Sequence, residues 1–255
     1  MTTTALPSEL VFAKRSLIHS LRNLDSLVTA VVAPVAIMLL FVTVFGSALD
    51  STVGGAYADY VTPGVMLLCA GFGAALTATS VHTDVSKGFI DRLRTMPVRA
   101  SGVIFGHVLA SVLRNLISTA IVLGVALALG FRPQASALEW LGVALLLAAY
   151  ILVFTLIAAA WGLAAKSVDS AGMFSFIALF LPYLSTAFIP TESLPGFLQG
   201  FAEHQPVTLV IEAFRGLANG APDTATIVGS AIWLACLGVA ATALTAWLFR
   251  RSART

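Results

Sequence analysis

Charge is what this chain has least of. Asp, Glu, Lys and Arg make up only 10% of its 255 residues, while 58% are hydrophobic; an ordinary soluble domain carries about 25% charged residues. With a mean hydropathy of +0.95, the chain reads as an integral membrane protein. Lysine occurs only at Lys14, Lys87 and Lys166, and none follows a glycine. No P-loop of the form G-x-x-x-x-G-K-[ST] therefore exists, and ATP is not bound here in that way. The four histidines, His19, His82, His107 and His204, form no H-E-x-x-H pair, and no G-x-S-x-G turn occurs, which argues against hydrolase chemistry. Cys69 and Cys236 both sit in apolar runs and read as packed thiols, neither a disulfide nor a metal pair. Carboxylates are missing from the middle of those runs, where a proton- or sodium-coupled carrier ordinarily needs them. No catalytic group, metal site or bound cofactor is expected.

Runs long enough to cross about 30 Å of hydrocarbon lie at 27–46, 61–81, 103–131, 140–165, 170–190 and 224–249. The expectation is an all-α polytopic protein with six transmembrane helices in a single domain, 1–255. With the N-terminus inside, twelve of the 14 Lys and Arg residues lie on the inner side and only Arg132 and Arg215 outside, which puts both termini in the cytoplasm. Arg114 interrupts the third run. It either snorkels at the membrane boundary, the preferred placing, or faces a partner inside the protein. Pro34 predicts a kink in the first span. Gly71 and Gly73, among alanines, give the second span a small-residue surface, suited to a subunit contact or to intrachain packing.

Three segments stand outside the spans. Residues 8–24 place Leu10, Val11, Leu17, Ile18, Leu21 and Leu24 on one arc and basic residues on the other, as an in-plane amphipathic helix would. Residues 82–101 leave the bilayer. There Val85, Phe89, Ile90, Leu93 and Met96 share one arc opposite Lys87, Asp91 and Arg94, predicting a short helix over 84–96 with Asp84 as N-cap, ended by Pro97. The pattern alone suits a helix resting on headgroups as well as one that docks on a protein. Finally, the apolar stretch 188–220 is interrupted by Pro190, Pro195, Gly196, Gly200 and Pro206. It predicts an outer-face pair of short helices over 191–220, broken at Pro206 and partly re-entrant.

The stretch Lys87-Gly-Phe-Ile-Asp-Arg-Leu-Arg-Thr-Met-Pro97 is similar to the coupling-helix motif of the daunorubicin-resistance permeases, with Leu93 where an aromatic is frequent. Phe188-Ile-Pro, Leu194-Pro, Gln205-Pro-Val-Thr and Glu212-Ala-Phe-Arg-Gly-Leu are similar to the segment before the last span of the same proteins. Over nearly its whole length the chain thus resembles the ABC type-2 exporter permeases. The resemblance implies a subunit without its own ATPase, exporting a hydrophobic or amphipathic compound (a drug, an antibiotic or a lipid-like molecule) across a bacterial plasma membrane. ATP and Mg would be held by a separate nucleotide-binding ATPase subunit, and a second permease, self or paralogue, would complete the exporter; nucleic acid is not an expected partner. Lys87, Phe89, Ile90, Asp91, Arg92, Leu93, Arg94, Met96 and Pro97 would form the coupling interface with the ATPase. Pro34, Gly71, Gly73, Pro182, Pro190, Pro206, Glu212 and Arg215 would belong to the translocation path and its outer gate, at a dimer interface built by spans one, two and five. A stand-alone secondary carrier or a non-catalytic membrane anchor is the alternative.

Overall fold

The computed structural model describes residues 24–88 and 101–251, and every regular element among them is helical. The expected in-plane helix over 8–24, apart from its last residue, and the coupling residues from Phe89 to Pro97 lie outside the described residues. Helix α1 (Leu24–Leu39) carries Pro34 and runs through a π-helical stretch, Leu40–Phe45, into α2 (Gly46–Val53). Gly54 ends it with φ 71°, a conformation in which a Cβ is costly. Helix α3 (Tyr57–Ser86), α4 (Ser101–Ala128) and α5 (Ala137–Ala164) follow. A capping box starts α5: Ser136 Oγ accepts from Glu139 N, and the Glu139 carboxylate accepts from Ser136 N at 2.6 Å, satisfying two first-turn donors.

The chain then shortens its elements: α6 (Val168–Gly172), α7 (Phe174–Tyr183), α8 (Gly196–His204) and α9 (Pro206–Ala218), before the long α10 (Thr224–Arg251). Asp223 caps α10, accepting from Thr226 N at 3.0 Å and Ala225 N at 3.2 Å. Those two backbone donors, Thr226 first, hold its carboxyl below the usual range.

Five described helical stretches are long and apolar enough to cross a bilayer: Val31–Val53, Tyr57–Ser86, Ile104–Ala128, Ala137–Ala164 and Thr224–Arg251. The stretch 170–190, expected as one continuous span, is different. It contains two short helices that together end at Tyr183, followed by irregular backbone to Pro190. Residues 168–183 rise about 24 Å at 1.5 Å per residue, short of the hydrocarbon thickness.

Helix α3 is the hub, packed against α1, α4, α5, α6, α7 and α9. In its most apolar window 78% of residues are buried, against 17% for α1–α2 and for α10, so the last two present their side chains to lipid or to partners. The glycines of α3 explain its close packing. A Cβ on Gly71 would come within 3.0 Å of Ala178 Cβ in α7, and one on Gly73 within 1.4 Å of Asn115 Oδ1 in α4. The small-residue surface is therefore consumed inside the protomer. Gly71 and Gly73 do not face a second subunit.

Candidate translocation site and its outer gate

Past Tyr183 the backbone leaves helical geometry while still inside the protein. Ser185, Thr186, Ala187 and Phe188 are all buried, and a Cβ on Gly64 of α3 would come within 2.5 Å of Ala187 Cβ. Non-helical backbone at such a depth is tolerated only when its polar groups find partners within the protein. Here side chains supply them. Leu184 O accepts from Gln205 Nε2, Thr186 O from Arg215 Nη2 at 2.9 Å, and Phe188 O from the Tyr57 hydroxyl at 2.8 Å. The Ser185 hydroxyl serves twice, donating to Pro182 O and accepting from Ala187 N. Three distant elements, α3, the α8–α9 break and α9, thus clamp one irregular segment.

Arg215 is the pivot. Its Nη2 also donates to Tyr60 O at 2.9 Å, Nη1 meets Glu212 Oε1 at 2.5 Å, and the guanidinium carbon lies 3.8 Å from the centroid of the Tyr60 ring. This planar fork spans two carbonyls, a carboxylate and an aromatic face, a task that lysine cannot duplicate. Aromatic rings close the remaining space. Phe41 in the π-helical stretch and Tyr183 each lie with their ring centroid 4.6 Å from that of Phe188, and Tyr57 stacks on Tyr60 at 6.2 Å.

Helix α9 reaches this place by descending into the bundle. Val207, Val210, Ile211, Phe214, Leu217 and Ala218 are buried at helical spacing, the pattern of a helix covered along one face. Pro206 stands at its first position, where the missing N–H costs nothing, and forces Gln205 into extended geometry, ψ 146°. Pro206 and Val207 line an apolar cavity of about 230 Å³ together with Phe154 and Leu237. Leu237 lies thirteen residues into α10, about 20 Å along its axis. At the other end of α9, Ala218 O accepts from Gln134 N in the α4–α5 loop.

The predicted site residues fare unequally. Glu212 and Arg215 come together with the irregular segment. Pro182, the last buried residue of α7 before Tyr183, and Pro190 bracket that segment, each accepting from a nearby serine, Ser185 and Ser193. Pro206 lines the cavity. Pro34 sits in α1, within the first described span, and Gly71 and Gly73 are packed inside the protomer. Tyr57, Tyr60, Phe41, Phe188 and Gln205 were not foreseen. The available signal was Tyr57 and Tyr60 at i, i+3 at the start of an apolar run, the position of an aromatic belt.

Two corrections concern the opposite end. Asp84 does not cap a new helix, because α3 continues to Ser86. Its carboxylate lies 2.9 Å from His107 Nε2 of α4, joining the ends of α3 and α4; Lys87 and Gly88 follow directly, with Gly88 at φ 64°. Arg114 does not snorkel at the boundary. It is 7% exposed, thirteen residues into α4 and so about 20 Å along that helix, with Nη2 donating to Gly73 O at 3.0 Å and to Ser111 Oγ at 3.3 Å. The Thr77 hydroxyl donates to Ser111 Oγ at 2.6 Å in the same buried polar layer.

The surface left open by this arrangement is directional. From Val61 to Gly71 every residue of α3 is buried, whereas Phe72, Leu76, Thr79 and Ser80 form a stripe that is at least part-exposed. They recur at i, i+4, i+7 and i+8, one helical face, and Thr79 lies beside Gly172 of α6. The stripe occupies the Asp84 end of α3; the Tyr57 end is sealed under the clamped segment.

Comparison with known proteins agrees with the geometry. Residues 9–218 match the ABC-2 type transporter family. A probable doxorubicin resistance ABC transporter permease protein, DrrC, of Mycobacterium tuberculosis is 30% identical over 247 residues, covering 95% of this chain and 88% of that protein. The daunorubicin resistance ABC transporter permease protein DrrB1 of Streptomyces coeruleorubidus is 32% identical over 196 residues, covering 76% and 69%. The inner membrane transport permease YadH of Escherichia coli K12 is 28% identical over 201 residues, covering 74% and 75%.

Proposed function

The chain belongs to the ABC-2 type transporter family and is the membrane subunit of an ABC exporter, a class that works with an ATPase partner; from that premise we propose that it exports amphipathic, drug-like compounds of the doxorubicin kind across the plasma membrane, between two permease copies. The chain supplies the path and not the hydrolysis. Residues 87–97 dock in the ATPase with both termini on that side, which agrees with the twelve basic residues on the inner side.

The half-sealed hub helix carries this reading. Cargo enters along the open stripe of α3, between α1 and α7, whose Val32, Leu39, Phe176 and Phe180 are exposed. Above it, the clamped segment 184–188 and its rings form the outer gate. Opening requires the donors from Gln205, Arg215 and Tyr57 to be released together, so the gate has two discrete states and resists partial opening. The test is ATP-dependent uptake of doxorubicin into inverted vesicles holding the permease with its ATPase subunit. Tyr57→Phe removes only the donor to Phe188 O and is expected to raise ATP-independent doxorubicin leak while preserving assembly. Uptake that needs no ATP, or a Tyr57→Phe vesicle as tight as wild type, overturns the assignment.

A further inference from the structure

Helices α5 and α10 leave an open groove of about 1010 Å³ along their shared face. Leu145, Ala149 and Leu152 line one wall and Ala231, Ala235 and Val239 the other. Thr242 contributes the lone side-chain hydroxyl of the lining, and it is already spent on Gly238 O at 2.7 Å. Nothing along the walls is left to hydrogen-bond a polar molecule, so the occupant is hydrocarbon.

Dimensions narrow the choice. The α10 wall runs from Ile227 to Ala246, twenty residues and about 28 Å. The groove is open along its side and apolar throughout, a shape that slender acyl chains fill directly from the bilayer.

The two ends differ in charge. Glu139 and Asp223 stand at the starts of α5 and α10, making one end acidic. At the other, the stripe Val239, Ala243, Ala246 continues at i+11 to exposed Arg250, and Arg251 holds its guanidinium 5.5 Å from the Trp247 ring centroid. An anionic headgroup is repelled at the first end and attracted at the second. We propose that the α5–α10 groove is a binding site for an anionic phospholipid of the bilayer, with its acyl chains along the small-residue walls and its headgroup on Arg250 and Arg251. The site requires only that the chain spans a membrane, so it stands apart from the export reading. It makes a bilayer lipid a resident of the permease.

The full-length chain, purified in micelles and titrated with phosphatidylglycerol or phosphatidylcholine of matched chains, is read by native mass spectrometry. Phosphatidylglycerol is expected to bind saturably and in preference to phosphatidylcholine. Each arginine near a headgroup is worth about a 5-fold change in affinity, so Arg250→Gln costs phosphatidylglycerol about that factor and the Arg250→Gln, Arg251→Gln pair removes the preference. Ala235→Leu with Ala243→Leu points into open space and is expected to abolish retention of both lipids, with helix content and oligomeric mass unchanged. Equal binding of the two lipids by wild type overturns the proposal, as does undiminished retention in the filled variant. A filled variant that changes oligomeric mass instead assigns the groove to a second copy, and the arginine variants decide the headgroup even if the filled variant does not fold.

Discussion

Arg215→Ala removes the pivot of the clamp on residues 184–188, and its cost can be worked from the contacts. The carbonyl of buried Thr186 loses its donor at 2.9 Å, worth about 1–3 kcal/mol when left unpaired, whereas Tyr60 O stays in the helical ladder of α3. The guanidinium over the Tyr60 ring at 3.8 Å adds about 0.5–2 kcal/mol. The Glu212 pair adds little, because the carboxylate side chain is 34% exposed and such pairs contribute about 0–1 kcal/mol. The loss is then at least about 1.5 kcal/mol, and it falls on one segment and not on the whole bundle. Labelling shows where. A cysteine placed at Thr186, buried in the native protein, is expected to stay unreactive toward a membrane-impermeant maleimide in an otherwise native background and to react at least ten times faster once Arg215 is alanine. Arg215→Lys keeps the charge but not the planar fork, and it is expected to fall between the two. Unchanged protection of position 186 in Arg215→Ala, in a protein that still elutes as wild type, would refute the clamp.

Gly73→Ala places a Cβ 1.4 Å from Asn115 Oδ1, so thermal stability in micelles is expected to fall by about 1–3 kcal/mol and to recover in Gly73→Ala, Asn115→Ala; a non-additive cycle of opposite sign would contradict the packing. Single cysteines at exposed Ser86 and Ser193, in a background lacking Cys69 and Cys236, are expected to label only from the inner and only from the outer side respectively. Asp91→Ala and Arg92→Ala are expected to insert normally and lose the ATPase subunit in pull-down, by about 3–5 kcal/mol if the pair is buried in the joint; normal retention in both returns residues 84–96 to the headgroup surface.

Most of the architecture was legible because bilayer thickness makes hydropathy a ruler. The long helices α3, α4, α5 and α10 each overlap an uncharged run, and the break at Gln205–Pro206 falls where proline chemistry puts it. What escaped was set by partners remote in sequence. Residues 170–190 carry no charge, and Pro182, Ser185 and Thr186 suit a continuous helix as well as one that stops at Tyr183. The stop is possible only because Tyr57, Gln205 and Arg215 donate to its carbonyls, and the Tyr57 donor lies 131 residues away. Arg114 follows the same rule: its interior place depends on the carbonyl of Gly73, 41 residues distant, which a list of charges does not reveal. Gly71 and Gly73 carry the converse lesson: small residues announce a close approach but not the neighbour. In a membrane, side chains say which segments leave water, and the backbone donors and acceptors then decide, pair by pair, where those segments are permitted to break.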